Sequence, residues 1–298
     1  MFQAILSLLL ASTLHAQPMD IADFSHKTYW ENEPILSVQQ IPQQDPDAIN
    51  FNPSAQSVIA IDLTSGKILY EKNSDTQRPI ASITKLMTAL IIAEEETPYS
   101  IVKVSENAAS TEGSTIWLNT GEEMTVKDLM YGMMISSGND AAMALAEYNA
   151  GSMDQFVRKM NQKAEQLGLT NTNYSNPMGF DSGYNYSSAS DVAILSMYVL
   201  ANDFLVEPVN LSTYQVESVS GISHEYISTN ELLTRDIGIQ SLQIQGLKTG
   251  RTPEAGECLV TVASYENGTR IMTVVLASED RFGDTENLLR WIDESYIW

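Results

Sequence analysis

The sequence has few of the residues that build disulfide frameworks and metal sites. Cysteine occurs once in 298 residues, at Cys258, which excludes an internal disulfide framework and any cysteine-based zinc site. Histidine occurs only at His15, His26 and His224, and no cluster of histidines and carboxylates suggests a metal site. We therefore expect neither a metal nor another cofactor.

Positive charge is also scarce. Lysine and arginine total 16 against 38 aspartates and glutamates, which gives a formal net charge of −22. Binding to nucleic acid without sequence preference requires basic side chains that face phosphates, and docking on an anionic membrane surface requires the same. We therefore expect no nucleic-acid partner and no stable membrane anchor.

The N-terminus begins with an apolar run of limited length. Ala4–Leu14 has the length of a signal-peptide core but not the roughly 20 residues that span a bilayer. The alternative is a buried N-terminal helix, but five prolines follow between residues 17 and 53 and leave it no partner. We predict a signal peptide over residues 1–16, a flexible linker over 17–51, and secretion across the inner membrane to the periplasm or cell envelope.

Hairpin signals lie near both ends of the remaining chain. Ser57–Leu63 and Ile68–Glu71 are β-rich runs across a turn, and Leu259–Tyr265 and Arg270–Ala277 flank an Asn-Gly turn. A further strand is predicted over Gln245–Gly250. The two chain ends therefore supply enough strands for one antiparallel sheet.

Between the hairpins the apolar periodicity is helical. The predicted helices are Ile80–Glu96, Val126–Ile135, Asp140–Asn149, Asp154–Leu167, Ser190–Leu200 and, at the end of the chain, Asp284–Tyr296. Together these patterns predict an α/β fold of the α+β type. Both chain ends form an antiparallel five-stranded sheet with flanking helices, and a helical lobe is inserted over about residues 96–235. Cys258 is expected in the core, and Asp280 and Asp284 are expected to be solvated turn residues.

Histidine chemistry is restricted to one residue, because His15 and His26 precede the folded region. We expect His224 to be a surface or structural residue. A serine can still be activated if a lysine serves as the base. The question is therefore whether the chain holds a suitable pair of serine and lysine.

The spacing Ser-x-x-Lys occurs at Ser82–Lys85 and at Ser100–Lys103. Ser82 opens a predicted helix, so Ser82 and Lys85 share one face, and the helix N-terminus favours negative charge at the serine. The run around Ser100 alternates like a strand, in which residues three apart point to opposite faces. The Ser82 pair is therefore the candidate for catalysis.

Two further segments could complete a site around that pair. Lys85 must be neutral to accept a proton, and burial or a second cation would favour its neutral form. Lys248 supplies such a cation in the sequence Lys-Thr-Gly, where Thr249 adds a hydroxyl suited to a carboxylate. Ser137 and Asn139 lie between two predicted helices, where helix capping is the alternative role and is compatible with catalysis.

Taken together, the three segments resemble a known enzyme superfamily. Ser82-x-x-Lys85, Ser137-Gly138-Asn139 and Lys248-Thr249-Gly250 are similar, in that order, to the motifs of penicillin-binding proteins and serine β-lactamases. The longer strings 78–89, 136–142, 186–191 and 248–256 resemble the low-molecular-mass D-alanyl-D-alanine carboxypeptidases. The resemblance covers about residues 52 to 296, and it implies a penicillin-binding DD-peptidase catalytic domain over residues 52–298.

The resemblance implies roles for the residues that carry the reaction. Ser82 would attack the carbonyl between two D-alanines of a peptidoglycan stem peptide, with neutral Lys85 as the base. The backbone N–H groups of Ser82 and Arg251 would form the oxyanion hole. Ser137 would pass a proton to the leaving amine, and Asn139 would hydrogen-bond the substrate amide and steady Lys85.

The resemblance also implies how substrate is held. The predicted substrate-binding residues are Lys248, Thr249, Gly250 and Arg251. Lys248 would hold Ser137 and add positive potential, and Thr249 would receive the terminal carboxylate with help from Arg251. The stem peptide would lie along this strand as an added strand. β-Lactam antibiotics would acylate the same serine.

Two less favoured alternatives fit parts of the pattern. A class A β-lactamase would carry a Glu-x-x-Leu-Asn string between Asn139 and Lys248, and none occurs there. A non-catalytic wall-binding module would be expected to lose Ser82, Lys85 or Lys248, and all three are present.

The nearest alternative is a D-alanyl-D-alanine endopeptidase, which uses the same three motifs to cut cross-links. The sequence ends soon after residue 292, and we expect no additional C-terminal β-domain or amphipathic anchor, which favours that alternative. The form Ser137-Gly138-Asn139-Asp140 favours the carboxypeptidase, which is our principal prediction.

Overall fold

A computed structural model describes residues 41–239 and 242–298. The predicted signal peptide and the predicted linker up to residue 40 lie outside the described residues. The strands are β1 (Gln43–Gln44), β2 (Ser57–Asp62), β3 (Ile68–Lys72), β4 (Arg78–Pro79), β5 (Ile101–Lys103), β6 (Glu123–Thr125), β7 (Tyr186–Ser187), β8 (Thr213–Glu217), β9 (Ser223–Ile227), β10 (Leu242–Thr252), β11 (Gly256–Tyr265), β12 (Arg270–Ser278) and β13 (Tyr296–Ile297). The α-helices are α1 (Lys85–Glu95), α2 (Glu106–Ala109), α3 (Val126–Ile135), α4 (Asn139–Ala150), α5 (Met153–Gln166), α6 (Ala189–Leu200), α7 (Asp203–Val209) and α8 (Arg281–Ser295).

The main sheet has five antiparallel strands in the order β10-β11-β12-β2-β3. The pairing of β12 with β2 joins the two ends of the chain, because Ile271–Leu276 of β12 lies against Ser57–Asp62 of β2. The predicted five-stranded sheet and the fold class are confirmed. β10 forms one edge of this sheet and carries the Lys-Thr-Gly segment.

Side-chain alternation along β2 explains why both faces of the sheet are covered. Ile59 and Ile61 pack into the core on the side of the helical lobe, whereas Val58 and Ala60 pack into the core beneath α8. Because successive strand residues point to opposite faces, all six residues of β2 are buried. The sheet is therefore a middle layer between the helical lobe and the C-terminal helix.

Helix α1 is the central element of the helical lobe. All eight residues from Lys85 to Ile92 are buried. Most of its faces contact other helices, so apolar residues occur around its whole circumference rather than on one stripe. This burial places the candidate catalytic lysine in a fully enclosed position.

Several local predictions differ from the structure. The predicted helix Ile80–Glu96 begins with a 3₁₀ turn over Ala81–Thr84, and its α-helical part starts at Lys85. The hairpin of β8 and β9 and the short helices α2 and α7 were not predicted.

The prediction that Asp284 is a solvated turn residue is wrong. Asp284 lies inside α8 and is buried, and it accepts hydrogen bonds from Ser54 N, Ser54 Oγ, Ala55 N and Ser278 Oγ. The carboxylate thereby joins the segment before β2 to the last helix.

The described end of the predicted linker makes contacts with the folded body. Gln43 and Gln44 pair with Ile297 and Tyr296, and the Ile49 carbonyl accepts a hydrogen bond from Trp291 Nε1 at 2.5 Å. Residues 41–51 therefore lie along the C-terminal helix and strand.

No single helix within residues 41–239 and 242–298 is long and apolar enough to cross a membrane. The bent pair α6 and α7, at 106° to each other, reaches that length and composition only when the two are joined.

Candidate active site

Ser82 lies on the 3₁₀ turn that leads into α1. Residues three apart eclipse each other in a 3₁₀ turn, so Lys85 lies directly behind Ser82 despite the change of helix type. Ala81 has a φ of +47°, which is strained for a residue with a side chain. Two glycines permit close packing there. A Cβ on Gly179 would lie 1.9 Å from the Ala81 carbonyl oxygen, and one on Gly250 would lie 3.1 Å from Ser82 N.

The Lys85 amine is the centre of a hydrogen-bond cluster. Its Nζ lies 2.9 Å from Ser82 Oγ, 2.7 Å from Asn139 Oδ1 and 2.7 Å from the Met178 carbonyl oxygen. A neutral amine has two N–H donors and one lone pair. The two carbonyl oxygens can accept those donors, which leaves the lone pair facing the Ser82 hydroxyl.

Burial favours this neutral form. Lys85 is fully buried, and the loss of hydration, together with the positive charge of Lys248, lowers its pKa well below the ordinary value, although Asp140 acts in the opposite direction. The arrangement gives a lysine that can accept a proton from a serine hydroxyl 2.9 Å away.

Asn139 joins the lysine to a neighbouring loop. It is the first residue of α4, and its Nδ2 donates to the Glu112 carbonyl oxygen at 2.7 Å, while its backbone N–H donates to Ser114 at 2.7 Å. The next residue, Asp140, is buried, and its carboxylate accepts hydrogen bonds from the backbone N–H groups of Ile116 and Leu118. These bonds fix the loop against the start of α4.

Ser137 lies just before α4 with a φ of +60° and is 4% exposed. The expected contact between Lys248 and Ser137 is not among the hydrogen bonds of the described residues. Lys248 Nζ donates instead to the backbone oxygen of Thr249 at 3.0 Å. Ser137 is therefore buried and lies two residues before Asn139 in the sequence, but among the described residues it makes no side-chain hydrogen bond to Lys85, Asn139 or Lys248.

The Lys-Thr-Gly segment lies on the edge strand β10. Lys248 and Thr249 are buried, and Thr249 Oγ1 lies 2.5 Å from Thr229 Oγ1. Arg251 differs, because its side chain is 75% exposed and its Nε lies 3.7 Å from a carboxylate oxygen of Glu257. The geometry thus brings Gly250 against Ser82 and leaves the Arg251 side chain beside Glu257 at the surface.

Arg281 is a residue of this site that the sequence did not reveal. It is the first residue of α8, and its Nη1 donates to the Gly250 carbonyl oxygen at 2.9 Å. Burial and the Arg281 charge lower the pKa of Lys248 to about 7. No local pattern marks Arg281, since it lies 31 residues beyond the glycine it contacts.

His224 has a structural role, as expected. It is buried on β9, and its Nδ1 lies 3.1 Å from the Ile116 carbonyl oxygen, so this nitrogen donates. Its Nε2 lies 2.6 Å from a Glu122 carboxylate oxygen. These bonds tie the β8–β9 hairpin to the loop before β6.

No group of three or more histidine, cysteine, aspartate or glutamate side chains in the described parts of the chain could hold a metal ion.

Comparisons with known proteins identify a family and several relatives that this chain resembles. A family model described as D-alanyl-D-alanine carboxypeptidase matches residues 40–280. The chain is 40% identical over 229 residues to the D-alanyl-D-alanine carboxypeptidase DacF of Bacillus subtilis, which covers 75% of this chain and 58% of DacF. It is 31% identical to a D-alanyl-D-alanine endopeptidase of Pseudomonas aeruginosa, over 81% of this chain and 78% of that protein.

A solved structure shares the fold. The crystal structure of the Streptomyces K15 DD-transpeptidase superposes with a TM-score of 0.76 at 29% identity, over 83% of this chain and 99% of that one. The chain spans about three fifths of the length of the curated carboxypeptidases it matches, 58% for DacF.

Proposed function

Because the chain belongs to the D-alanyl-D-alanine carboxypeptidase family, we propose that it is a serine carboxypeptidase that removes the terminal D-alanine from peptidoglycan stem peptides. The observation that carries this proposal is the buried Lys85 amine, 2.9 Å from Ser82 Oγ, with its other two hydrogen bonds made to carbonyl oxygens. A lysine held in this way can activate a serine without any histidine.

Acylation begins when Ser82 Oγ attacks the carbonyl carbon of the bond between the two D-alanines. Lys85 Nζ takes the hydroxyl proton, and the backbone N–H groups of Ser82 and Arg251 stabilise the oxyanion. The close approach of Gly250 to Ser82 N supports this pairing of donors. The C–N bond then breaks, the leaving amine receives the proton through Ser137, and the acyl group remains esterified to Ser82.

Deacylation reverses the roles of the same groups. Water attacks the ester carbonyl, Lys85 accepts its proton, and the Ser82 oxygen leaves as the hydroxyl after receiving that proton. The shortened stem peptide then dissociates. No group outside the described site is needed to balance protons in either half of the reaction.

The edge strand β10 supplies the binding surface for the stem peptide. An edge strand can pair with an extended peptide through its backbone groups. Lys248 and Thr249 bind the terminal carboxylate, and the hydroxyl of Thr229, 2.5 Å from that of Thr249, supports its orientation. The second N–H of Asn139 Nδ2 remains for the substrate amide, since the first donates to Glu112.

β-Lactam antibiotics acylate Ser82 by the same route, because their strained amide resembles the scissile bond. We also propose that residues 1–16 direct secretion to the periplasm or cell envelope and that residues 52–298 form the catalytic domain. The substrate lies in the cell wall, so export is a requirement of the proposed reaction.

Product analysis tests the proposal. The purified protein is incubated with a stem pentapeptide and, separately, with cross-linked stem-peptide dimers. Release of D-alanine from the pentapeptide, lost in Ser82→Ala, is the expected result. Cleavage of the dimers with no D-alanine release would replace the proposal with the endopeptidase activity of the Pseudomonas relative.

A further inference from the structure

A buried histidine and a buried glutamate lie beside the active site, and the proposed reaction uses neither of them. His224 is on β9 and Glu122 precedes β6, and His224 Nε2 lies 2.6 Å from a Glu122 carboxylate oxygen. On the other side of the ring, His224 Nδ1 lies 3.1 Å from the Ile116 carbonyl oxygen. The imidazole is thus held between two oxygen acceptors.

This geometry requires a hydrogen on each ring nitrogen of His224. A neutral imidazole has one N–H donor and one lone pair, so one nitrogen would face an oxygen with no hydrogen between them. Burial raises the pKa of the Glu122 carboxyl, but hydrogen bonds from Asn119, His224 and Ser218 outweigh burial and hold that pKa below its ordinary value. Glu122 is therefore the carboxylate of the pair, and His224 is the imidazolium.

The Ile116 carbonyl belongs to a peptide group whose conformation needs support. The next residue, Trp117, has a φ of +63°, which is costly for a bulky side chain. Trp117 is also 82% exposed, so packing of its indole does not hold this conformation in place. Because φ of Trp117 depends on the orientation of the Ile116–Trp117 peptide plane, the hydrogen bond from His224 to the Ile116 carbonyl stabilises it.

The same loop holds Asn139. Two carbonyl oxygens within residues 112–114 accept hydrogen bonds from the side-chain and backbone N–H groups of Asn139, each at 2.7 Å. Asn139 Oδ1 in turn accepts a hydrogen bond from Lys85 Nζ. Ile116 also packs against the residue before Asn139, since a Cβ on Gly138 would lie 3.1 Å from the Ile116 side chain. A shift of Ile116 would therefore reach both the backbone and the side chain of Asn139.

We propose that His224 is a positioning residue for acylation, because its charged pair with Glu122 fixes the loop over residues 112–118 and thereby holds Asn139 against Lys85. The inference rests on the proposed function, in which Asn139 steadies the lysine base. Weakening the pair should leave the protein folded but let Asn139 move away from Lys85, so that acylation slows.

The charge of His224 is tested in the unaltered protein. His224 is the one histidine of residues 41–298, so nitrogen NMR of histidine-labelled protein, compared with His224→Gln, assigns the signals of its ring. At pH 7 both ring nitrogens should carry hydrogen and give similar chemical shifts. Two widely separated shifts, the signature of a neutral ring, would overturn the inference.

The rate of penicillin labelling tests the link to the active site. The readout is the second-order rate constant for acylation of Ser82 in the wild type, in Glu122→Gln and in Glu123→Gln, which removes the same charge from the neighbouring residue. We expect labelling of Glu122→Gln to be about tenfold slower, because a charge-assisted hydrogen bond that supports the loop is weakened. Glu123→Gln should retain the wild-type rate. An unchanged rate in Glu122→Gln, or an equal fall in both variants, would overturn the inference.

A double-mutant cycle distinguishes positioning from a general loss of stability. Asn139→Ala removes the side chain through which His224 acts, so Glu122→Gln should slow labelling little further in that background. The same tenfold fall in both backgrounds would overturn the inference, and thermal unfolding verifies that each variant is folded. If the wild type is not labelled by penicillin and releases no D-alanine, the proposed function fails and the inference with it.

Discussion

Lys85 and Lys248 illustrate how burial creates reactivity at the scale of single residues. Both lysines are nearly inaccessible to water, and an ammonium ion that loses its hydration becomes easier to deprotonate. The charge of Lys248 lowers the pKa of Lys85 further, and that of Arg281 lowers the pKa of Lys248. Burial and a neighbouring positive charge therefore both favour the neutral form of Lys85, which the proposed role as base requires.

The pH dependence of catalysis follows from the direction of the Lys85 shift. The base works only when neutral, so kcat/KM for D-alanine release should rise as pH increases through the pKa of Lys85 in the free enzyme. That rise should occur well below pH 10.5, the ordinary value for lysine. A profile that climbs only near pH 10.5 would mean that Lys85 is not the base.

We expect Arg281 to set the position of the other limb of that pH profile, through its effect on the pKa of Lys248. In the proposed function protonated Lys248 binds the substrate carboxylate, so kcat/KM should decline as pH rises through the Lys248 pKa of about 7. Arg281→Gln removes a positive charge, which raises the pKa of Lys248 and moves the decline to higher pH. Arg281→Lys retains the charge and should leave the decline near its original pH. Equal behaviour of the two variants would contradict a role through charge.

At the scale of elements, most of what the sequence revealed was local. The β12 strand and helix α3 were predicted within one residue of their bounds, because hairpin signals and helical periodicity act over short spans. The Met178 carbonyl could not be predicted, since it lies 93 residues from the lysine it contacts. The candidate site was therefore predictable at its motif residues and not at the segments that orient them.

Asp284 of α8 makes the contact between that helix and the segment before β2, through its hydrogen bonds with Ser54 and Ala55. Burial raises the pKa of its carboxyl, but hydrogen bonds from Ser278 and Ser54 outweigh burial and leave the pKa below the ordinary range. A depressed pKa in the folded state means stability that is present above the unfolded value near 3.8 and is lost as pH falls through the folded value.

Replacing Asp284 should expose this contribution. Asp284→Asn should lower the free energy of unfolding at pH 7 by about 2 kcal/mol, measured by urea titration, because charged hydrogen bonds are lost. The difference from wild type should shrink as pH falls below 3.8. Glu294→Gln, an exposed change in the same helix, should have little effect at either pH. A pH-independent loss would mean that packing, not charge, is responsible.

At the scale of the whole molecule, the topology brings the two chain ends together, whereas the net charge opposes the compact state. The chain ends meet in one sheet, so Ser54 and Asp284 are in contact although 230 residues apart in sequence. The net charge of −22 opposes this compact state by self-repulsion. Arg281, beside Gly250, and Lys248 when it is protonated place positive charge at the site within this acidic body. That charge suits the proposed substrate, which ends in a carboxylate.

Salt should therefore stabilise the protein. Raising NaCl from about 0.02 to about 0.5 M shortens the screening length to a few ångströms, and the melting temperature at pH 7.5 should rise by a few degrees. The rise should be smaller at pH 5, nearer the sequence pI of about 4.3, where the net charge is lower. A melting temperature that falls with salt would show that attractive charge pairs dominate.

We infer above all that Ser82, activated by Lys85, is the nucleophile. Its most direct test is peptide-mapping mass spectrometry of the protein after incubation with benzylpenicillin, alongside Ser82→Ala and Ser100→Ala. We expect one penicilloyl group on the peptide that contains Ser82, in the wild type and in Ser100→Ala, and none in Ser82→Ala. An adduct that survives in Ser82→Ala, or that requires Ser100, would contradict it.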